Sequence, residues 1–182
     1  EKIDLIIDTD PGADDVVALL FALASPDELN IRALTTVAGN VRLDKTSRNA
    51  RLAREWAGRE EVPIYAGASK PLVRAPIYAE NVHGQEGLPG VPVHEPKQGL
   101  AQGNAVQYLI DTLRKARPHR LLIEPSGLGH PVQLIEQLQQ APWLGVLAVQ
   151  PCVLVLDAQA LQAGKALPVA QQEALESAGL LL

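Results

Sequence analysis

The run Asp8-Thr9-Asp10-Pro11-Gly12-Ala13-Asp14-Asp15 places four carboxylates close together with no basic residue among them. Like charges packed this tightly raise one another's pKa or need a cation between them. Carboxylates and backbone carbonyls suit a hard ion such as Ca²⁺ or Mg²⁺. A single cysteine, Cys152, and the lack of a paired-His motif argue against zinc. Taken one at a time, these residues have ordinary uses: Asp8 or Asp10 in a turn, Asp14 as a helix cap, Asp15 in a first helical turn. Capping needs only one carboxylate, so the full set points to chemistry.

The elements around the cluster must hold it in place. Ile3 to Ile7 reads as a buried strand ending near Asp8. From Asp14 to Ala24, the residues Val16, Val17, Leu20, Phe21 and Ala24 fall at helical spacing. The cluster therefore lies at the carboxyl end of a strand, where open parallel sheets bind ligands. A strand over Ile31–Val37, a helix capped by Asp44 and running to Trp56, and a short strand at Val62–Tyr65 continue the alternation. Between Ala66 and Gly103 periodicity gives way to Gly and Pro, as in a long functional loop. Asn104 then caps a helix bearing Val106, Leu109, Ile110 and Leu113, followed by a strand at Arg120–Ile123. A helix from Pro131 to Gln140, a strand at Cys152–Leu156 and one or two weak helices complete the chain. The fold class expected is α/β, a mainly parallel open sheet with helices on both faces. No internal repeat or domain linker stands out, so 1–182 reads as one domain.

Composition narrows the partners. The 182 residues are 47% hydrophobic and 20% charged, enough for a sizeable core. With 16 Lys+Arg against 21 Asp+Glu, a net charge of −5 and no long basic run, nucleic acid is not an expected partner. The apolar stretch from Trp143 to Leu156 is too short to span a bilayer, and nothing at the start resembles a signal peptide. The expectation is a cytoplasmic, membrane-free protein.

The Asp8–Asp15 run at the end of the first strand resembles the signature of the inosine-uridine-preferring nucleoside hydrolases. Three further segments agree in order and spacing: Thr35-Thr36-Val37-Ala38-Gly39-Asn40-Val41, Pro63-Ile64-Tyr65-Ala66-Gly67-Ala68 and His83-Gly84-Gln85-Glu86-Gly87-Leu88. Similarity runs from about Ile3 to Leu122, with 1–130 following the family and 131–182 diverging. The resemblance implies a purine and pyrimidine salvage enzyme that hydrolyses the N-glycosidic bond of a small-molecule ribonucleoside, with Ca²⁺ as cofactor. It implies that Asp10 binds Ca²⁺ and acts as general base on a metal-bound water, and that Asp15 is a second ligand. It also implies that Asp14 contacts the ribose hydroxyls, that Asn40 lies beside ribose and metal, that His83 faces the base, and that Asp8 supports the loop. The Pro125–His130 stretch stands where the family has a Gly-Pro-Leu-Thr-Asn-like turn, which makes the carbonyl of Gly129 a further ligand. A homo-oligomer is one way for a short chain to cover its core.

The family's later Met-Gly-Gly, Glu-Phe-Asn and His-Asp signatures have no counterpart: Trp143 to Leu182 holds one Asp, Asp157, and no His. Two other readings accompany this one. A remnant of the family would bind ribose or calcium without turnover. A haloacid-dehalogenase-like phosphohydrolase would use Asp8 as nucleophile, Asp10 as acid/base and Mg²⁺, but its pattern requires Gly-Thr or Gly-Val after the second Asp, and Pro11-Gly12 stands there instead.

Overall fold

A computed structural model describes residues 2–73, 75–115, 118–124, 131–154, 156–167, 172–175 and 178–181. The chain divides into two compact units, Glu1–Gly127 and Leu128–Leu182.

The first unit is built on a four-stranded sheet in the order β3-β2-β1-β4, with every pairing parallel. Its strands are β1 (Ile3–Thr9), β2 (Leu29–Thr36), β3 (Ile64–Ala66) and β4 (Arg120–Ile123). The helices α1 (Ala13–Leu23) and α2 (Leu43–Trp56) make the crossovers from β1 to β2 and from β2 to β3. Both steps move outward in one direction, so the right-handed rule places both helices on one face. They pack there against Ile31, Leu34 and Ile64 in a core that includes Val16, Leu19, Leu23, Ala50 and Ala53. Successive strand residues face opposite sides. Accordingly Tyr65, next to the core residue Ile64, stacks on Tyr108 with ring centroids 4.2 Å apart. Tyr108 belongs to α4 (Ala105–Lys115), so the other face is covered as well. The expected α/β class with a mainly parallel sheet is what the chain forms.

After β3 the chain returns to the far side of β1 to lay down β4, and the direction of winding reverses between β1 and β4. Such a reversal opens a crevice at the carboxyl ends of the two strands, because their following loops turn away to opposite sides. Asp8 pairs with Ile123 in this register, which brings the residues after both strands level with each other.

Several local expectations need correction. On α1 the buried residues are Asp15, Val16, Leu19 and Leu23, while Val17 is 52% and Phe21 74% exposed. The two apolar stripes lie side by side on the helix, and the sheet takes the one in line with Asp15. The N-cap of α2 is Arg42, and Asp44 sits inside the first turn, where it accepts a hydrogen bond from Arg42 Nε at 3.2 Å. The third strand is shorter and later than expected. The long Gly/Pro-rich segment is an ordered strap with one short helix, α3 (Glu80–His83), and it is pinned to α2 by charged side chains. Arg48 donates to Glu86 Oε2 at 2.6 Å, and Lys45 pairs with the same carboxylate at 3.2 Å. One turn further on, Arg51 bonds Glu95 and the carbonyls of Pro96 and Gln98. The buried Arg54 donates to the carbonyls of Val62, Gln98 and Gly99.

The second unit carries α5 (Pro131–Leu138), α6 (Ala158–Gln162) and a two-stranded parallel sheet of β5 (Cys152–Leu154) and β6 (Ala178–Leu181). Pro131 opens α5, as its missing amide permits. The strand β6 was not expected from the weak pattern of the last residues. No helix among the described residues is long and apolar enough to cross a membrane.

Candidate active site at the carboxyl edge of the sheet

The site starts from the loop between β1 and α1. Gly12 is the N-cap of α1, and its amide donates to Asp15 Oδ2 at 2.7 Å. An acidic residue in the first turn is favoured by the helix dipole, and here it also closes the cap. Asp10 is 1% and Asp15 4% exposed.

Asn40, in the loop after β2, ties these carboxylates together. Its backbone amide donates to Asp10 Oδ2 at 2.7 Å. Its side-chain amide donates to the Asp10 carbonyl at 3.1 Å and to Asp15 Oδ2 at 2.8 Å. The preceding Gly39 is required by this closeness, since a Cβ there would stand 1.9 Å from Asp10 Oδ2. Asp8 accepts a hydrogen bond from Thr35 Oγ1 at 2.5 Å across the β1–β2 pair. Burial raises its pKa, and the Thr35 bond partly offsets the rise.

His83 comes to the same place from α3. Its ring lies against Gly12, where a Cβ would meet Nδ1 at 2.5 Å, and Nδ1 is 3.8 Å from Asp14 Oδ1. Asp14 itself is exposed on α1, beside the mouth of the cluster. The loop carrying His83 is held from below by Asn49, whose amide donates to the carbonyls of Pro11 and Glu86, both at 3.0 Å. A Cβ on Gly87, which has φ +76°, would meet Asn49 Nδ2 at 2.7 Å. Asp8, Asp10, Asp14, Asp15, Asn40 and His83 are thus gathered at one edge. Gly129 lies outside the described residues.

Sequence reasoning missed Glu124, the residue after β4. Its amide donates to the Asp8 carbonyl at 3.1 Å, and its Oε2 accepts from Thr9 Oγ1 at 2.8 Å. A carboxylate oxygen from each of Asp10, Asp15 and Glu124 lies within 4.8 Å of the others. The available signal was an acidic residue directly following a strand at a sheet's carboxyl edge.

The electrostatics follow from this crowding. Burial pushes the Asp10 carboxyl up to about 7; the Asn40 amide opposes this, while the charges of Asp15 and Asp14 add to it. Glu124 is exposed as a residue, but the partial burial of its carboxyl group raises its pKa too, with Asp15 adding to the rise and Thr9 opposing it. Among the described residues, no Lys or Arg forms a salt bridge with Asp8, Asp10, Asp15 or Glu124. Crowded oxygen donors without a basic partner fit a hard divalent cation.

The family described as inosine-uridine preferring nucleoside hydrolase matches residues 5–127, more than half of the chain. This chain belongs to that family. Among curated relatives of this family member, an uncharacterised protein of Schizosaccharomyces pombe is 44% identical over 138 residues, covering 76% of this chain and 44% of its own. The pyrimidine-specific ribonucleoside hydrolase RihA of Salmonella schwarzengrund is 46% identical over 112 residues, 62% of this chain and 36% of that one. Among solved structures, the plant nucleoside hydrolase PpNRh1 aligns with a TM-score of 0.62 at 35% identity, covering 76% of this chain and 43% of that chain. A purine-preferring ribonucleoside hydrolase from Gardnerella vaginalis aligns with a TM-score of 0.61 at 28% identity, over 76% and 44% of the two chains. The chain therefore spans less than half the length of these relatives. A second family, the CobW/HypB/UreG nucleotide-binding domain, matches residues 100–182, less than half of the chain. The divergence from the nucleoside hydrolase pattern thus has a likeness of its own, and Pro125–His130 falls within that second match.

Proposed function

We propose that residues 5–127 carry the cation and ribose end of a ribonucleoside hydrolase, which cleaves the N-glycosidic bond of a ribonucleoside to free base and ribose with the help of Ca²⁺. The observation that supports this reading best is the pair of buried carboxylates Asp10 and Asp15, bridged by Asn40 at the sheet's switch point and without a Lys or Arg salt bridge among the described residues. Asp10 and Asp15 are the residues that would hold the cation. When bound, it supplies the positive charge that acidifies a water beside it.

The roles of the chain's own groups follow. Asp10, kept charged by the cation beside it, accepts the proton of the attacking water as bond breaking leaves positive charge on the ribose. Asn40 fixes the direction of that carboxylate through its backbone amide. Asp14 would accept hydrogen bonds from ribose hydroxyls, and His83, whose Nδ1 is 3.8 Å from Asp14 Oδ1, would lie on the nucleobase side. Asp8, bonded to Thr35 and carrying the Glu124 amide on its carbonyl, keeps the loop in register. In the names of the relatives, RihA is pyrimidine-specific and the Gardnerella vaginalis enzyme purine-preferring. This chain is accordingly assigned the ribonucleoside class and no single base.

The test is release of base from inosine, uridine and a chromogenic riboside by the full chain, with Ca²⁺ and with chelator, beside Asp10→Ala. Calcium-dependent turnover that disappears in the variant is expected. Ligand binding without turnover by the folded wild-type chain would replace this reading with that of a binding remnant.

A further inference from the structure

We propose that Glu124 is a third carboxylate ligand of the cation site, supplied by β4 at the switch point. The proposal rests on the reading above, that the crowded carboxylates bind a hard cation, and adds a residue to it.

Three observations converge on Glu124. The first is topological: β4 is the strand laid beside β1 after the winding reverses, and the pairing of Asp8 with Ile123 puts Glu124 level with Thr9. The backbone bond from the Glu124 amide to the Asp8 carbonyl, at 3.1 Å, carries that alignment one residue past the strand. The second is the aim of the side chain. The Thr9 hydroxyl, on a residue 1% exposed, holds Oε2 at 2.8 Å, so one carboxylate oxygen is fixed and the group is turned into the cluster. The third is the spacing. Ligand oxygens sit at about 2.3–2.6 Å from Ca²⁺, so two ligands of one ion stand no more than about 5 Å apart. One carboxylate oxygen from each of Asp10, Asp15 and Glu124 lies within 4.8 Å of the others.

Chemistry favours a cation over mutual tolerance of the three acids. One oxygen from each of Asp10, Asp15 and Glu124 shares a space less than 5 Å across, and no Lys or Arg among the described residues forms a salt bridge with any of them. A divalent ion offsets the like-charge crowding of all three groups at once. Calcium affinity rises with the number of charged ligands, so a third carboxylate gives the first unit a tighter site than Asp10 and Asp15 alone.

The experiment titrates Ca²⁺ into the chelator-treated full chain by calorimetry and records the thermal midpoint with and without Ca²⁺, for wild type, Glu124→Gln and Asp15→Asn. The glutamine keeps the size of the side chain and can still accept the Thr9 hydroxyl. The expected result is Ca²⁺ affinity lower by about tenfold or more in Glu124→Gln, a smaller calcium-induced rise in its midpoint, and a midpoint in chelator no lower than wild type. If the glutamine variant does not fold, Glu124→Asp, which keeps the charge and shortens its reach, is read in the same way. Wild-type affinity in the Glu124 variant, with affinity lost in Asp15→Asn, would overturn the role of Glu124 and leave the cation reading intact. Absence of saturable Ca²⁺ binding by the folded wild type would overturn both.

Discussion

Replacing Asp10 by Asn exchanges a buried carboxylate for a neutral group of the same shape, so it isolates the cost of the charge. Asp10 is 1% exposed, and its pKa stands at about 7 against an ordinary value of 3.8. The folded state therefore holds a proton that the unfolded chain has already released between those two values. Stability linked to this group is fully present below about pH 4, falls as pH rises through the interval, and is gone above about pH 7. At about 1.4 kcal/mol per pKa unit, the complete penalty is roughly 4 kcal/mol, of which about 3 develops between pH 5 and pH 8. In chelator, Asp10→Asn should thus be more stable than wild type, and its advantage should grow by about 2–3 kcal/mol between pH 5 and pH 8. Urea unfolding followed by circular dichroism at both pH values measures this directly. Saturating Ca²⁺ should abolish or reverse the advantage, because the ion stabilises the charged form. An advantage independent of pH in chelator would refute the assignment of a strained, buried charge to Asp10.

Other substitutions probe the frame. Gly39→Ala puts a methyl group 1.9 Å from Asp10 Oδ2, so calcium binding measured by calorimetry should be lost, at a stability cost of about 1–3 kcal/mol. Arg54→Ala removes hydrogen bonds to the Val62 carbonyl and to the strap carbonyls of Gln98 and Gly99 and should lower the unfolding free energy by about 3 kcal/mol. Limited proteolysis should then cut first within residues 94–99. Leu34→Ala empties a fully buried position between the sheet and α1–α2; a loss of about 2–5 kcal/mol in denaturant unfolding is expected, with cation affinity unchanged once the chain is folded.

Much of the site was legible because its residues are local. The Asp8–Asp15 run, Asn40 and His83 each lie next to a motif with its own turn chemistry, and the alternation of strand and helix says that those turns share one edge. Glu124 was harder to see because its position depends on which strand β4 joins. That choice is made by the chain's return across the sheet after β3, and Arg120–Ile123 carries no mark of it. The face of α1 was misjudged for a related reason. Val17 and Phe21 are as apolar as Val16 and Leu19, so periodicity alone cannot decide between adjacent stripes; the Asp15 cap, which fixes the rotation of the helix, decides it. The arginines of α2 look like an ordinary solvated face in sequence. Their strap carbonyl partners lie 44 to 47 residues further along the chain, where Pro and Gly erase any periodic signal.

The strap that carries His83 lends Leu88 to the core of the first unit, and both of its charged clamps belong to α2. Each residue along a helix turns the side chain by about 100°. A single residue inserted after Asn49 would leave the first clamp on Glu86 engaged and swing Arg51 and Arg54 away from Glu95 and the carbonyls of Gln98 and Gly99. The same insertion at Gly90, which has open space around it, would disturb neither clamp. Length variation in relatives should therefore collect between the clamped points of the strap, while α2 keeps an unbroken count of residues.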